Sequence, residues 1–411
     1  MTTARLAIGA LATAMTLFLA ACGSSQATRE AAREQPQAEP VLPEEEPLSF
    51  FDDDHIRVAL LAPLSGEHAP VGQAIVNASQ MALFDIADNN FALTVKDTGS
   101  GGADAVAAMQ EALEEGADLV LGPLFAADAR AAAPAALNAG VPVLTFSNDQ
   151  TLARPGLYVM GLTAHAEVDR VVDYASRNGL RRIGLLMPQT PYGEAVRNAL
   201  QEATARYGGE VMEVVSYNPR SPDFSEPVRE FARRGGVSQG SGGSYDAVLV
   251  PAGGRELLSL AAQLAFHNVN PNNVQYLGTR LWEDLSISTE PALMGGWFAA
   301  PNRNSWERFV ERYRSLYGSP PPRITSIAYD STALAAAIAQ DAMGQHAMGQ
   351  RDGNVFTAAA LQNSDGFAGV DGLFRLRPDG RVERGLAVYE VQRNTFVERE
   401  PAPSSFVALL N

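Results

Sequence analysis

The sequence predicts an α/β fold made of two successive units, each a parallel sheet covered by helices on both faces. From residue 56, short uninterrupted apolar runs alternate with segments whose apolar residues recur every three or four positions. This alternation is typical of buried parallel strands connected by helices. The same order of segments begins again about 125 residues further along, which indicates a repeated plan. The chain has one cysteine in 411 residues, which excludes an internal disulfide, so a hydrophobic core must hold the fold.

In the first unit, four apolar runs are predicted to be strands: Ile56–Ala62, Phe91–Lys96, Asp118–Gly122 and Val141–Thr145. After the first run, Val71, Ile75 and Ala82 fall on one face of a helix, as their spacing requires. A second helix is predicted over residues 103–115, where Gly116 ends it. An alanine-rich helix follows the third strand.

Two sequence echoes relate the second unit to the first. Val58–Pro63 resembles Ile183–Pro188, and Asp118–Pro123 resembles Asp246–Pro251. Chance similarity between buried strands would explain either echo alone. Because both occur in the same order, they favour a second α/β unit of the same plan.

The final third of the chain has a different pattern. Trp306–Tyr317 and Ser326–Met343 are predicted helices, and Gly372–Tyr389 is predicted to be a β-hairpin with a turn at Pro378-Asp379-Gly380. Helices followed by a hairpin do not make a third doubly wound unit. We expect these helices and the hairpin to pass back across the first two units and to pack on them.

The N-terminus is typical of an exported protein. Residues 1–21 contain Arg5, a long apolar run and a small-residue end, and they are predicted to be a signal peptide. An uncleaved membrane anchor is the alternative, because the run approaches the length of a short span. Cys22 directly follows the run, in a pattern that resembles a bacterial lipobox. That resemblance implies that Cys22 is acylated and attaches the protein to a membrane.

Residues 22–54 are predicted to be a disordered acidic tether. Residues 23–54 hold nine acidic and two basic side chains. Residues 23–50 contain almost no large apolar side chains, so this segment has too little apolar surface to offset the entropy of ordering. In lipoproteins an Asp after the cysteine favours the inner membrane. Gly23 stands there instead, so the outer membrane is expected, with the protein on its periplasmic side.

Composition also excludes several functions. The net charge is −16 with no basic cluster, which argues against nucleic acid as a partner. No metal site or cofactor is expected, because Gly99–Gly102 lacks the lysine and hydroxyl of a phosphate loop and the histidines have no ligand-like spacing. Lys96 is the only lysine, and no Ser-x-x-Lys motif includes it. A non-catalytic protein is expected. The histidines are His55, His68, His165, His267 and His346.

Several short motifs resemble the type I periplasmic binding proteins, the family of the branched-chain amino-acid receptors of ABC importers. They are Ala62–Gly66, Pro191–Glu194, Ala328–Asp330 and Phe367–Gly372. Their order and spacing over residues 56–395 carry the resemblance, since none is specific alone.

The resemblance implies two Rossmann-like lobes joined by three crossovers, near Gly161, near Phe298 and around Gly366–Leu373. Lobe 1 would comprise residues 55–162 and 299–368. Lobe 2 would comprise residues 163–298 and 369–400. A ligand cleft would lie between them at the carboxyl ends of the strands.

Carried over position by position, the family's ligand contacts match poorly here. Ala126 replaces a serine that binds the ligand carboxylate, Asp149 replaces a threonine, Gly253 replaces an aromatic residue, and Tyr192 retains one. Arg280 aligns with the acid that receives the ligand ammonium. An α-amino acid in the usual pose would therefore meet like charges, at several kcal/mol each. The predicted cleft residues are Ser65, Ala126, Ser147, Asn148, Asp149, Tyr192, Gly253 and Arg280.

A second branch of this fold, the penicillin-binding-protein activators, resembles the chain more fully. The lipobox, the tether, the altered cleft and Leu277–Trp282 are similar to that group, although the helical-repeat domain of its best-known members does not precede residue 55 here. The resemblance implies an outer-membrane lipoprotein that binds and regulates a peptidoglycan synthase. The alternative is a receptor for a small polar ligand, serving an ABC importer. Trp282 and Trp297 are candidate partner-surface anchors, with packing against helices as the alternative.

Overall fold

The computed structural model describes residues 55–87, 91–237, 243–346 and 354–406, all within one compact unit. The predicted signal peptide, Cys22 and the tether lie outside these residues. The strands are β1 (Ile56–Ala62), β2 (Phe91–Asp97), β3 (Leu119–Leu121), β4 (Val143–Thr145), β5 (Leu157–Val159), β6 (Arg182–Pro188), β7 (Glu210–Tyr217), β8 (Ala247–Leu249), β9 (Gln275–Gly278), β10 (Trp297–Ala300), β11 (Phe367–Gly369), β12 (Gly372–Leu376), β13 (Val382–Arg384), β14 (Ala387–Gln392) and β15 (Thr395–Glu400).

Helices alternate with most of the parallel strands. They are α1 (Ala69–Ile86), α2 (Ala103–Glu114), α3 (Ala126–Asn138), α4 (Ala164–Arg177), α5 (Pro191–Tyr207), α6 (Ser225–Arg234), α7 (Gly254–Phe266), α8 (Arg303–Tyr317), α9 (Thr325–His346) and α10 (Ala358–Leu361). Within the described residues, none of these helices combines the length and apolar character that a membrane crossing requires.

Two sheets organise the chain, and both have the predicted parallel arrangement. The first has the order β2-β1-β3-β4-β5 with every pairing parallel. The second has the order β15-β14-β10-β9-β8-β6-β7, in which the β10–β14 and β14–β15 pairings are antiparallel and the other pairings are parallel. Central strands such as β1 and β6 are almost wholly buried because helices cover both faces. The fold class predicted from the sequence is confirmed.

A close approach of helix to strand explains why the two units echo each other. A Cβ atom on Gly72 of α1 would lie 1.8 Å from the carbonyl oxygen of Pro63. One on Gly193 of α5 would lie 2.0 Å from the carbonyl oxygen of Pro188. Only glycine fits where a helix starts so close to the strand that precedes it. The repeated proline and glycine therefore have the same packing role in both units.

The chain passes between the two cores three times. It leaves the first sheet after β5 to form α4, whose Val168 and Val171 belong to the second unit's core. The chain returns to the first core after β10. The evidence is that Phe309 and Tyr313 of α8 pack in that core. We call the first sheet with its helices the first lobe and the seven-stranded sheet with its helices the second lobe.

The third passage differs from the prediction. Strands β11, β12 and β13 form a small antiparallel sheet, and Phe374, Leu376 and Val382 of this sheet belong to the first core. Only β14 and β15 join the second sheet, so the chain crosses between Arg384 and Ala387. The predicted crossing at Gly366–Leu373, with a second-lobe share beginning at residue 369, is wrong. Alternating apolar residues indicate a half-buried strand but do not say which core it covers.

Candidate functional site

The candidate site is the set of loops that follow the carboxyl ends of the parallel strands in both lobes, where open α/β sheets bind ligands. Two cavities, of about 440 Å³ and about 410 Å³, lie among other residues, and neither is lined by any of the eight predicted cleft residues. Asn302, Tyr389 and Phe396 contribute to the first, and Tyr217 and Phe224 to the second.

In the first lobe, the predicted residues are placed by local turns. Ser65 and Asn148 are exposed, and Ala126 is the first residue of α3. Ser147 is buried, and its hydroxyl accepts a hydrogen bond from the backbone N–H of Asp149 at 3.1 Å. These side chains are engaged with neighbouring backbone or open to solvent, and they do not converge on a shared charged group.

Asp149 is held by groups on its own side of the molecule. It caps a short 3₁₀ helix, Gln150–Leu152, by accepting a hydrogen bond from the Thr151 backbone N–H at 3.0 Å. The guanidinium of Arg130 lies 3.0 Å from its other carboxylate oxygen. Burial raises the pKa of Asp149, but the hydrogen bonds from Thr151 and Arg130 outweigh it and lower the pKa overall. The expectation that Asp149 presents an uncompensated charge to a ligand is therefore wrong.

In the second lobe, Tyr192 lies at the start of α5, which Thr190 caps through the backbone N–H of Gly193. The phenol oxygen of Tyr192 lies 2.9 Å from the hydroxyl of Thr279, which is fully buried. Burial and the nearby Glu167 charge raise the pKa of Tyr192. Gly253 is the N-cap residue of α7, and a Cβ atom there would come within 2.9 Å of the carbonyl oxygen of Leu281. The aromatic residue of the amino-acid receptors therefore does not fit at Gly253 without moving this loop.

The main charged feature of the site is an ion pair between Glu167 and Arg280. Glu167 lies in the first turn of α4, and its carboxylate accepts from the Arg280 backbone N–H at 3.2 Å and from its Nε at 3.3 Å. The Glu167 side chain is 4% exposed and that of Arg280 is 27% exposed. Burial raises the pKa of Glu167, and the Arg280 charge opposes that rise. The predicted cation at position 280 is present, but the protein itself supplies its counter-ion.

Glu283 and Arg323 extend this charged cluster. Burial raises the pKa of Glu283 to about 7, against the lowering effect of the Arg323 and Arg280 charges. Arg323 lies just before α9, in the first lobe, and the effect of its charge on Glu283 acts between the lobes. No sequence pattern singles out Glu167, Glu283 or Arg323. An acid in the first turn of a helix, such as Glu167, is ordinary helix-stabilising chemistry, and only the fold shows that it lies beside Arg280.

The two tryptophans have different environments. Trp282 is fully buried and donates its indole N–H to the carbonyl oxygen of Val250 at 3.1 Å. The absence of a side chain on Gly278 makes room for its ring. The prediction that Trp282 is a partner-surface anchor is therefore wrong, and packing explains it. Trp297 is half-buried, with its N–H 3.2 Å from the carboxylate of Glu390, and its role as an anchor stays a prediction.

One sequence motif between α6 and β8 is relevant to catalysis. Residues 236–240 match Gly-x-Ser-x-Gly, the pattern of a hydrolase nucleophile elbow. An elbow joins the end of a strand to the start of a helix, whereas this segment comes after α6 and before β8. Its serine lies outside the described residues. Among the described residues, no group of three or more His, Cys, Asp or Glu side chains could hold a metal ion.

Comparison with known proteins gives the class of the chain. The family model described as periplasmic binding protein matches residues 55–395, so the chain belongs to the periplasmic binding protein family. This agrees with the two parallel sheets and three passages of the chain described above.

Two solved structures share the fold. One is a branched-chain amino acid ABC transporter protein from Rhodospirillum rubrum, with a TM-score of 0.70 and 18% identity, covering 84% of this chain and 99% of that one. The other is full-length LpoA from Haemophilus influenzae, with a TM-score of 0.64 and 20% identity, covering 85% of this chain and 60% of that one.

Curated relatives match over shorter stretches. The chain is 30% identical over 154 residues to the penicillin-binding protein activator LpoA of Vibrio cholerae, a match that covers 36% of this chain and 25% of the relative. It is 23% identical over 186 residues to an uncharacterised protein of Rickettsia prowazekii, over 45% of this chain and 50% of the relative. The matches thus span half or less of these relatives' lengths.

Proposed function

We propose that this protein is a non-catalytic lipoprotein of the cell envelope that binds and regulates a peptidoglycan synthase. The observation that carries the proposal is the buried Glu167–Arg280 ion pair. By the resemblance to the amino-acid receptors, Arg280 would stand where a receptor of this fold needs a free acid for the ligand ammonium. Asp149, the other charged residue among the eight predicted cleft residues, is paired to Arg130, so both of these charges already have partners within the described part of the chain.

The likeness to the activators supports this proposal. Both a curated relative and a solved structure carry the name LpoA, and the former is named a penicillin-binding protein activator. The surface of the periplasmic binding protein domain would then contact the synthase, and no bond would be made or broken by this chain.

The proposal includes the lipid anchor. Cys22 would be acylated after removal of residues 1–21, and residues 22–54 would let the folded part reach away from the periplasmic face of the outer membrane. Mass spectrometry of the purified full-length protein tests this step. We expect an acylated N-terminal Cys22, and an unmodified thiol would contradict it.

Affinity capture tests the function. The tagged full-length protein is captured from detergent-solubilised envelopes of its own host, and we expect a peptidoglycan synthase to be recovered with it. The matched control, Cys22→Ser, should fail to fractionate with the membrane but should still bind the purified synthase. Recovery of no cell-wall enzyme, together with no binding to the purified synthase, would refute the proposal.

A receptor for a small polar ligand, feeding an ABC importer, is the second candidate. The partial exposure of the Arg280 side chain favours it, because an anionic group could still approach the guanidinium. Thermal-shift screening against amino acids, peptides and wall fragments tests it. A ligand at 100 times its dissociation constant should stabilise the protein by about 2.7 kcal/mol. The absence of any shift would rule out these ligands.

A further inference from the structure

The larger of the two cavities, with a volume of about 440 Å³, lies outside the strand-end loops and is lined by both lobes. One wall is the start of α8, from Asn302 to Glu307, and the other is the antiparallel edge of the second sheet, β14 and β15. Alternate residues of a strand share a face, so Phe396 and Glu398 of β15 lie on one face, where Tyr389 of β14 is paired with Glu398. The volume is within the range of about 300–1,000 Å³ that is typical of small-molecule sites.

Backbone hydrogen bonds fix both walls of this cavity. The backbone N–H of Arg303, the first residue of α8, donates to the phenol oxygen of Tyr389 at 3.4 Å. The backbone N–H of Asn394, in the turn between β14 and β15, donates to the carbonyl oxygen of Ser288 at 3.2 Å. A ligand that enters a cavity with fixed walls orders little of the protein, which favours binding.

The guanidinium of Arg303 is held in place with its donors unused. It lies over the ring of Phe396, 5.2 Å from the centroid, and the Arg303 side chain is 29% exposed. A carboxylate oxygen of Glu307 lies 3.7 Å from its Nη2, which is beyond hydrogen-bonding distance. Within the described part of the chain, no oxygen accepts a hydrogen bond from this guanidinium. Its planar set of five N–H donors therefore remains for a molecule in the cavity.

The rest of the lining combines polar groups with apolar surface. The side-chain amides of Asn304 and Asn394 and the carboxylate of Glu398 line the cavity, and none of them forms a hydrogen bond or ion pair among the described residues. Leu285 is 46% exposed, and together with Phe396 it gives the cavity an apolar side. Donors, acceptors and apolar surface thus face the same space.

The charges of the lining select the kind of molecule that fits. A ligand carboxylate on Arg303 would lie beside the Glu307 carboxylate, and an amine on Glu307 would lie beside the guanidinium, so either ion meets a like charge. A hydroxyl group accepts from a guanidinium and donates to a carboxylate. It therefore fits between these two groups without bringing a charge. A ring with several hydroxyls also has an apolar C–H face for Leu285 and Phe396.

We propose that this cavity binds a neutral saccharide, with its hydroxyls on Arg303, Glu307 and Glu398 and its C–H face on the apolar side. The inference goes beyond the proposed function, which concerns a protein partner, and it uses none of the eight predicted cleft residues. A free sugar and a sugar within a wall glycan present the same hydroxyl chemistry, so the test includes both.

Isothermal titration calorimetry on the full-length protein tests the site. The probes are glucose, N-acetylglucosamine and the soluble glycan chitotetraose, with leucine as a zwitterion. We expect sugar binding that Arg303→Met and Glu398→Gln each weaken about tenfold or more, because each variant loses a hydrogen bond to a charged group. Arg308→Met and Glu311→Gln are the matched controls, since both residues are exposed on α8 and do not line the cavity. They should leave the affinity unchanged.

Glu398 is exposed, so Glu398→Gln keeps the test available if Arg303→Met does not fold. Binding of chitotetraose without glucose supports a glycan chain as the ligand, and binding of both supports sugars in general. Binding of no sugar, binding of leucine alone, or an unchanged sugar affinity in whichever of the two cavity variants folds overturns the proposal. A protein that captures a synthase but binds no sugar would overturn this inference and leave the proposed function standing.

Discussion

The carboxyl ends of the strands in the two lobes occupy corresponding places in the fold, yet their charges are handled differently. In the first lobe, Asp149 is satisfied by Thr151 two positions away and by the exposed Arg130 nineteen positions away. In the second, the buried carboxylate of Glu167 meets Arg280 across 113 positions. A turn can satisfy a charge at a surface edge, whereas a buried charge needs a partner that the fold brings to it. Variants of the two lobes should therefore differ in the size of their effects.

The largest effect is expected from Arg280→Met. This change leaves the Glu167 carboxylate buried without its partner, and it should lower the free energy of unfolding by about 3–5 kcal/mol. The loss should grow as the pH rises, because a carboxylate with a raised folded-state pKa binds protons more readily in the folded protein. Urea unfolding at several pH values measures it. The double change Glu167→Gln/Arg280→Met should recover part of the loss, and a loss equal to that of an exposed arginine variant would show that the pair is not effectively buried.

The next largest effect is expected at the close approach of helix to strand that both lobes share. Gly72→Ala and Gly193→Ala each place a Cβ atom against a proline carbonyl oxygen, and each should cost about 1–3 kcal/mol. Gln73→Ala is the control in the same helix, because Gln73 is exposed and bonds only to the neighbouring Asn77 among the described residues. Thermal unfolding measures all three. A large loss in one lobe with none in the other would contradict the shared role of these glycines.

A smaller effect should appear in the pH dependence of stability. The folded-state pKa of Glu283 is raised to about 7 by burial and by the Asp371 and Glu167 charges, against Arg323 and Arg280. The contribution of this group is therefore complete below its unfolded pKa and is lost as the pH rises to and through about 7.

The comparison of the parent protein with Glu283→Gln isolates that contribution. Between pH 5 and pH 7.5 the parent should lose about 2 kcal/mol more than the variant, as measured by unfolding in urea at each pH. Asp330, whose pKa burial also raises, titrates in both proteins and so cancels in the difference. If the free energy of unfolding depends on pH in the same way in both proteins, the Glu283 carboxyl is solvated in the folded protein and its pKa is not raised.

The smallest effect is expected at the first-lobe edge. Asp149→Ala removes a cap and an exposed ion pair, which together should cost about 1 kcal/mol. Its folded-state pKa is lowered, so this contribution is present at neutral pH and is lost as the pH falls through that value. Arg130→Gln should cost less still, because the cap remains. If Asp149→Ala costs as much as Arg280→Met in the same urea assay, the contrast between the lobes is wrong.

Much of the fold follows from local sequence. The apolar runs that became β1 and β6 are continuous because both faces of these strands are buried, and the prolines and glycines after them mark where helices start. The third crossing could not be found this way, since the alternation in Phe374 and Leu376 is the same for either core. Among the site residues, the sequence located the loops but not the pairing of their charges.

The sequence by itself determined the α/β class and the repeated plan, because these depend on periodicity and on residues that start or end elements. Only the tertiary structure decided that Trp282 is buried, that β11–β13 pack on the first core, and that Arg280 meets Glu167. Burial and ion pairing depend on which distant segments come together. In this protein that is set by three passages between the lobes, which no local pattern records.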